Sequence, residues 1–161
     1  MFNIFNKNNK VEFLAPMTGE IVKIEDVPDK VFAEKMLGDG IAINPSEGTI
    51  VAPCSGEIIQ IFPTNHAVGI KTETNLELLI HIGIDTVKLN GKGFESFIEK
   101  GDKVKAGDKL IKIDLDYVKE NAKSLITPLV ITNMSEVDKM NKQQGSVVSG
   151  KDQVMEVIAT R

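Results

Sequence analysis

His66 and His81 are the only imidazoles in this chain of 161 residues, and the stretch that carries them reads as one hairpin. A neutral imidazole nitrogen is a competent nucleophile toward phosphorus near neutral pH. Phosphoryl transfer depends mainly on positioning and on stabilising charge over the equatorial oxygens. With two neighbouring rings, one attacks in line while the other donates an N–H to a phosphoryl oxygen. That chemistry uses no metal, no cysteine and no general base beyond the pair. The structural alternative is a pair of half-buried strand histidines with satisfied hydrogen bonds.

Strands must position such a pair. Thr64 to Ile70 and Leu76 to Asp85 are apolar and strand-like, and Thr72-Glu73-Thr74-Asn75 between them is a polar turn. With Glu73 and Thr74 as the two loop residues, His66 falls directly opposite His81. Opposite residues of an antiparallel pair share a face, with Cβ atoms about 4.5–5.5 Å apart. A slip by one position makes the rings diagonal or turns one of them away. Strand alternation adds Thr64 to the face of His66, and Gly83 and Asp85 to the face of His81. A hydroxyl two residues before His66 is placed to set that ring's tautomer.

The rest of the chain predicts an all-β domain, a sandwich or barrel-like fold with a few short helices, which the resemblance described below makes a compact antiparallel one. Ile41 to Ile43, Ile58 to Ile61, Leu76 to Ile82, Lys109 to Ile113, Val130-Ile131 and Val154 to Ala159 read as strands between glycine and proline turns. Ala15-Pro16-Met17-Thr18-Gly19-Glu20-Ile21 recurs as Ala52-Pro53-Cys54-Ser55-Gly56-Glu57-Ile58. This is the pattern of a corner feeding a strand, with proline setting φ and glycine a conformation that other residues resist. A further glycine turn, Lys100 to Asp108, precedes the strand at Lys109. Residues 115–123 could form two helical turns with Leu115, Val118 and Ala122 on one side. Ser135-Glu136-Val137-Asp138 begins a second short helix with Ser135 as N-cap. Gly38-Asp39-Gly40 reads as a tight turn, because no P-loop lysine-serine follows it.

A net charge of −4 argues against a broad nucleic-acid or anionic-membrane surface. A single cysteine, Cys54, excludes an internal disulfide and a cysteine-rich zinc site. The residue types around Cys54 make it a small structural side chain. No signal-peptide pattern and no membrane-spanning apolar run is present, so the expected location is the cytoplasm. Residues 1–10, rich in Asn and Lys, are expected to form a flexible tail ahead of one domain over 11–161. Phe2 and Phe5 in that tail leave room for weak membrane contact at most.

His81-Ile82-Gly83-Ile84-Asp85-Thr86-Val87, behind an apolar run, resembles the active-site signature of the glucose-type IIA components of the phosphoenolpyruvate-dependent sugar phosphotransferase system. The resemblance extends to Ala15-Pro16-x-x-Gly19, Val31 to Gly40, Thr64-Asn65-His66-Ala67, Gly101 to Asp108 and Ile131-Thr132-Asn133-Met134. It covers the chain from Val11 to about Ile158. It implies an antiparallel β-sandwich whose phosphohistidine takes phosphate from the phosphocarrier HPr and passes it to a cysteine on a IIB domain of a sugar permease. His81 matches the phosphorylated residue, His66 the second histidine needed for donation, and Thr64 the hydroxyl supporting it. Asp85 matches an acid that meets a basic residue of HPr. Phe32, Met36, Leu37, Phe62 and Ile80 match an apolar collar on which partners dock. Regulatory protein targets are open, and the sugar is a property of the permease. Ser135 stands where some relatives carry an acid, and Lys88 adds a positive charge close to the site.

Two rival functions share parts of this pattern. Biotinyl and lipoyl carriers have similar corners, but they present a lysine in a methionine-flanked hairpin, and Glu34-Lys35-Met36 lacks the first methionine. A zinc hydrolase takes three protein ligands plus water, which His66, His81 and Asp85 could barely supply. No cofactor is required by the phosphoryl chemistry. Zinc held adventitiously by His66 and His81, or shared with a partner's carboxylate, is the one metal role these residues leave open.

Overall fold

Turn residues at short intervals keep the strands short, and none among the described residues exceeds seven. The computed structural model describes residues 9–160. Its first half runs through β1 (Lys10–Leu14), β2 (Gly19–Lys23), helix α1 (Lys30–Ala33), β3 (Asp39–Pro45), β4 (Thr49–Val51), β5 (Gly56–Ile61), β6 (Ala67–Lys71) and β7 (Glu77–His81). The second half adds β8 (Phe94–Ser96), β9 (Lys103–Val104), β10 (Lys109–Ile113), helix α2 (Leu115–Asn121), β11 (Thr127–Ile131), β12 (Val137–Lys142), β13 (Ser146–Val147) and β14 (Gln153–Ala159). All pairings between them are antiparallel.

One eight-stranded sheet, in the order β13-β2-β3-β11-β7-β6-β5-β9, packs with two three-stranded sheets, β1-β14-β12 and β4-β10-β8. All three sheets contribute to a single core. Phe13 and Val157 come from the first small sheet, Ile50 and Ile111 from the second, and Ile43, Ile58, Ile80 and Leu129 from the large one. The expected all-β antiparallel sandwich is what the chain forms.

Both Ala-Pro-x-x-Gly-Glu-Ile copies are corners feeding strands, β2 and β5. They interlock: Leu14 N–H donates to the Pro53 carbonyl and Val51 N–H to the Pro16 carbonyl, each at 2.8 Å. The glycines serve a different purpose from the one expected. Neither Gly19 nor Gly56 has a positive φ. A Cβ there would lie 2.2 Å from the Asn44 carbonyl oxygen and 2.6 Å from that of Lys71, so close strand approach excludes a side chain. The turn Gly101 to Asp108 has a counterpart missed in the sequence, Gly145 to Asp152. Ala52 N–H donates to Asp108 and Ala15 N–H to Asp152, both at 2.8 Å.

Three sequence expectations need correction. Lys10 is already paired with Ile158 in β1, and Asn9 accepts the Ala159 N–H, so these two residues belong to the folded domain and not to a flexible tail. The proposed membrane contact of Phe2 and Phe5 lies outside the described residues. Ser135 caps no helix, because Met134–Glu136 is a single 3-10 turn leading straight into β12. Gly38-Asp39-Gly40 is not a tight turn: Asp39 and Gly40 already pair with Ile131 and Val130. The helix at 115–123 does form, over Leu115–Asn121, with Asp114 accepting the Tyr117 N–H at 3.1 Å.

A second, smaller apolar cluster lies on the outer face of the large sheet. Ala42 and Val130 point outward there and are covered by Ile24, Val27, Ile84 and Phe32. Helix α1, only four residues long and capped by Asp29, delivers Phe32. Burying such a ring is worth roughly 1.5–3 kcal/mol. This outer face is where the histidines sit.

Candidate functional site

The hairpin that carries the histidines has a different register from the expected one. Its loop is three residues long, Glu73-Thr74-Asn75, with Asn75 left-handed at φ +66° and Thr72 N–H donating to the Leu76 carbonyl at 2.9 Å. This is the three-residue hairpin loop that ends in a left-handed residue. Thr72 Oγ1 accepts the Leu76 N–H at 3.0 Å. Asn133 staples the loop from outside, accepting the Glu77 N–H at 2.8 Å and donating to the Asn75 carbonyl at 2.7 Å. The pairing therefore shifts by one, and Ala67, not His66, lies opposite His81.

His66 nevertheless reaches His81, because it precedes the regular strand. Asn65 is left-handed at φ +57°, in a turn closed by Asn65 N–H on the Phe62 carbonyl at 2.7 Å. Asparagine tolerates that conformation better than most residues. The bend brings the His66 ring back to the outer face, 5.2 Å from the His81 ring centroid to centroid and at 76° to it. Phe62 flanks His66 at 5.2 Å and Phe32 flanks His81 at 5.1 Å.

Each ring has one nitrogen engaged. His81 Nδ1 donates to the Gly83 carbonyl at 2.8 Å; a carbonyl can only accept, so Nδ1 carries the proton and Nε2 the lone pair. His66 Nδ1 is bonded to Thr64 Oγ1, as the sequence led one to expect. Burial holds the pKa of both rings below the ordinary histidine value of 6.5. The neighbouring His81 adds to the effect at His66. At His81 the Gly83 hydrogen bond and the negative charge of Asp29 oppose it. The net result is two neutral imidazoles at neutral pH.

The other predicted residues are distributed unequally. Strand β7 ends at His81, and left-handed Gly83 and Asp85, at φ +70° and +63°, break the alternation that was to place Asp85 on the histidine face. The Asp85 carboxylate instead pairs with Lys88 at 3.1 Å on an exposed loop. Met36 is 67% exposed and Leu37 43%, both just past α1. Ile80 is a correction: it is 0% exposed in the main core. Alternation sends Leu78 and Ile80 inward and Leu79 and His81 outward, so Ile80 cannot belong to a docking collar. Exposed Val31 and Val87 are apolar residues of these same segments that the sequence reading passed over.

Asp29 and the Gly83 carbonyl were also missed. Asp29 caps α1 by accepting the Val31 N–H at 2.8 Å, and the Pro28-Asp29-Lys30 stretch was legible as a helix start. No residue type can announce the role of a backbone carbonyl.

The features of the rival readings are placed elsewhere. Lys35 is held by Glu25 at 3.2 Å and Asp39 at 3.8 Å, and these acids raise its pKa. Cys54 is buried, and burial pushes its thiol up to about 12, which leaves it inert as a nucleophile. Among the described residues, no three His, Cys, Asp or Glu side chains converge as metal ligands. No helix among them is long and apolar enough to cross a membrane.

Comparison with known proteins agrees with this geometry. Residues 11–137 match the family model described as phosphoenolpyruvate-dependent sugar phosphotransferase system, EIIA 1. The glucose-specific EIIA component of Staphylococcus epidermidis is 52% identical over 151 residues, covering 93% of this chain and 91% of that one. The glucose-specific EIIA component of Bacillus cereus is 48% identical over 158 residues, covering 98% and 96%. The solved structure of glucose permease IIA from Mycoplasma capricolum superposes with a TM-score of 0.88 at 42% identity, over 93% of this chain and 97% of that one. With these relatives, the chain belongs to the EIIA 1 family of the phosphoenolpyruvate-dependent sugar phosphotransferase system, the phosphoryl-relay component of that system.

Proposed function

We propose that His81 is the phosphoryl carrier of this relay protein, receiving phosphate from phospho-HPr in the cytoplasm and donating it to a cysteine of a IIB domain. The observation that carries this reading is the engagement of both Nδ1 atoms on rings 5.2 Å apart, which leaves each Nε2 without a hydrogen-bond partner among the described residues. His81 Nε2 holds a lone pair and attacks phosphorus; the bond from phosphorus to HPr breaks as the P–Nε2 bond forms. No proton has to leave Nε2. The proton stays on Nδ1, donated to the Gly83 carbonyl, so the phosphorylated ring is cationic and a good leaving group for the onward step.

His66 takes the complementary tautomer. With the Thr64 O–H donating to Nδ1, its Nε2 carries the proton and donates to a phosphoryl oxygen. Exposed Val31, Met36 and Leu37 supply apolar contact for the partners, and Asp85 an acid for a basic residue of HPr, with Lys88 released from it on docking. The names of the relatives point to a glucose-type permease as the acceptor. No cofactor enters this scheme. Incubation with phosphoenolpyruvate, enzyme I and HPr should place acid-labile, base-stable phosphate on His81, and His81→Ala should abolish it. Normal labelling of His81→Ala would overturn the assignment.

A further inference from the structure

Gly83, whose carbonyl holds His81, is itself held by two buried threonines that take no part in the chemistry above. Thr127 is fully buried in the first position of β11. Its Oγ1 accepts the Gly83 N–H at 3.2 Å and donates to the Leu125 carbonyl at 3.0 Å. Thr86, also buried, donates to the Ile82 carbonyl at 2.6 Å, and its Cγ2 lies 2.7 Å from where a Cβ on Gly83 would be. The Ile82 N–H donates to the His66 carbonyl at 2.7 Å. The peptide between the two histidines and Gly83 is therefore tied down at every step.

The end of the ladder explains why a side chain is needed there. The pairing of β11 with β7 begins only at Leu129 opposite Ile80. Past that point the hydroxyl of Thr127 takes the place of a backbone acceptor. Without it the Gly83 N–H would be buried and unpaired, which the segment relieves by moving. Movement of Gly83 carries its carbonyl away from His81 Nδ1. The ring is then free to place its proton on Nε2, and a protonated Nε2 cannot attack phosphorus.

We propose that Thr127 is a positioning residue for phosphoryl transfer, holding Gly83 so that its carbonyl keeps the His81 proton on Nδ1. The proposal rests on His81 as the phosphoryl acceptor. Thr127→Val keeps the shape and removes the hydroxyl, and Thr127→Ser restores it. Nitrogen-15 NMR of the unphosphorylated chain reads the His81 tautomer, and transfer from phospho-HPr reads the rate. Thr127→Val should show a substantial Nε2–H population and accept phosphate roughly 10- to 100-fold more slowly, the usual range for a lost outer-shell partner, with KM for phospho-HPr unchanged. Thr127→Ser should recover both. A Thr127→Val protein with the parental tautomer and rate would overturn the proposal. Should that variant not fold, Thr127→Cys, a poorer acceptor in the same place, must show the same two changes to a smaller degree, and parental behaviour there overturns it equally. Phosphate on a residue other than His81 in the unsubstituted chain would overturn the functional reading, while the tautomer comparison still decides the role of Thr127.

Discussion

The His66 and His81 rings stand 5.2 Å apart at 76°, although the strand partner of His81 is Ala67. A regular strand in this register would send His66 to the opposite face, into the core. The left-handed turn at Asn65 brings it back. The functional pair is thus made by an irregularity next to a regular ladder, and its behaviour follows from how each ring is held.

In the proposed relay His66 donates to the phosphoryl group and is not itself attacked, so His66→Ala should still accept phosphate from HPr. Its onward transfer to a IIB domain should fall by about 10²–10³, the cost of one lost donor at a developing charge. Stopped-flow transfer in the two directions separates these steps, and equal slowing of both would contradict the division of labour.

Acid should destabilise the fold through the same two rings. Their folded pKa values lie below 6.5, so the unfolded chain takes up protons first as pH falls. Stability is then full above about pH 7 and declines as pH drops through 6.5 toward the folded values. A melting series from pH 7.5 to 5 should show this slope, and His66→Gln should make it shallower. Acceptance of phosphate should persist somewhat below pH 6.5, since neutral His81 outlasts a free imidazole.

Ile80 and Met36 should behave as opposites. Ile80→Ala removes fully buried core volume and should cost about 2–5 kcal/mol of stability. Met36→Ser removes exposed surface and should change stability by about 0.5 kcal/mol or less, while raising KM for phospho-HPr. Denaturant titration and transfer kinetics on both variants check the contrast.

Asn133→Ala should loosen the hairpin from its far end. The substitution leaves the Glu77 N–H and the Asn75 carbonyl without their partner and should cost about 1–3 kcal/mol. Hydrogen exchange should rise at Glu77 and around Asn75 before it rises at His81.

Much of this was legible in the chain itself. Turn punctuation and β-branched runs determined an all-β domain, because those signals are local, and the family resemblance made it antiparallel. The spacing of Thr64, His66 and His81 placed two imidazoles and a hydroxyl on one hairpin, and the resemblance along the chain gave them an order in a relay. Register was decided elsewhere: one extra loop residue at Asn75, stapled by Asn133 from the distant loop after β11, changes every pairing by one. The inward turn of Ile80 follows from that register and from the sheets packed above it. The Gly83 carbonyl and the Thr127 hydroxyl beneath it meet only through tertiary structure, since a residue 44 positions away supplies the acceptor for Gly83. Residue types declare which atoms can react; the proton on His81 is placed by backbone geometry that only the packed fold defines.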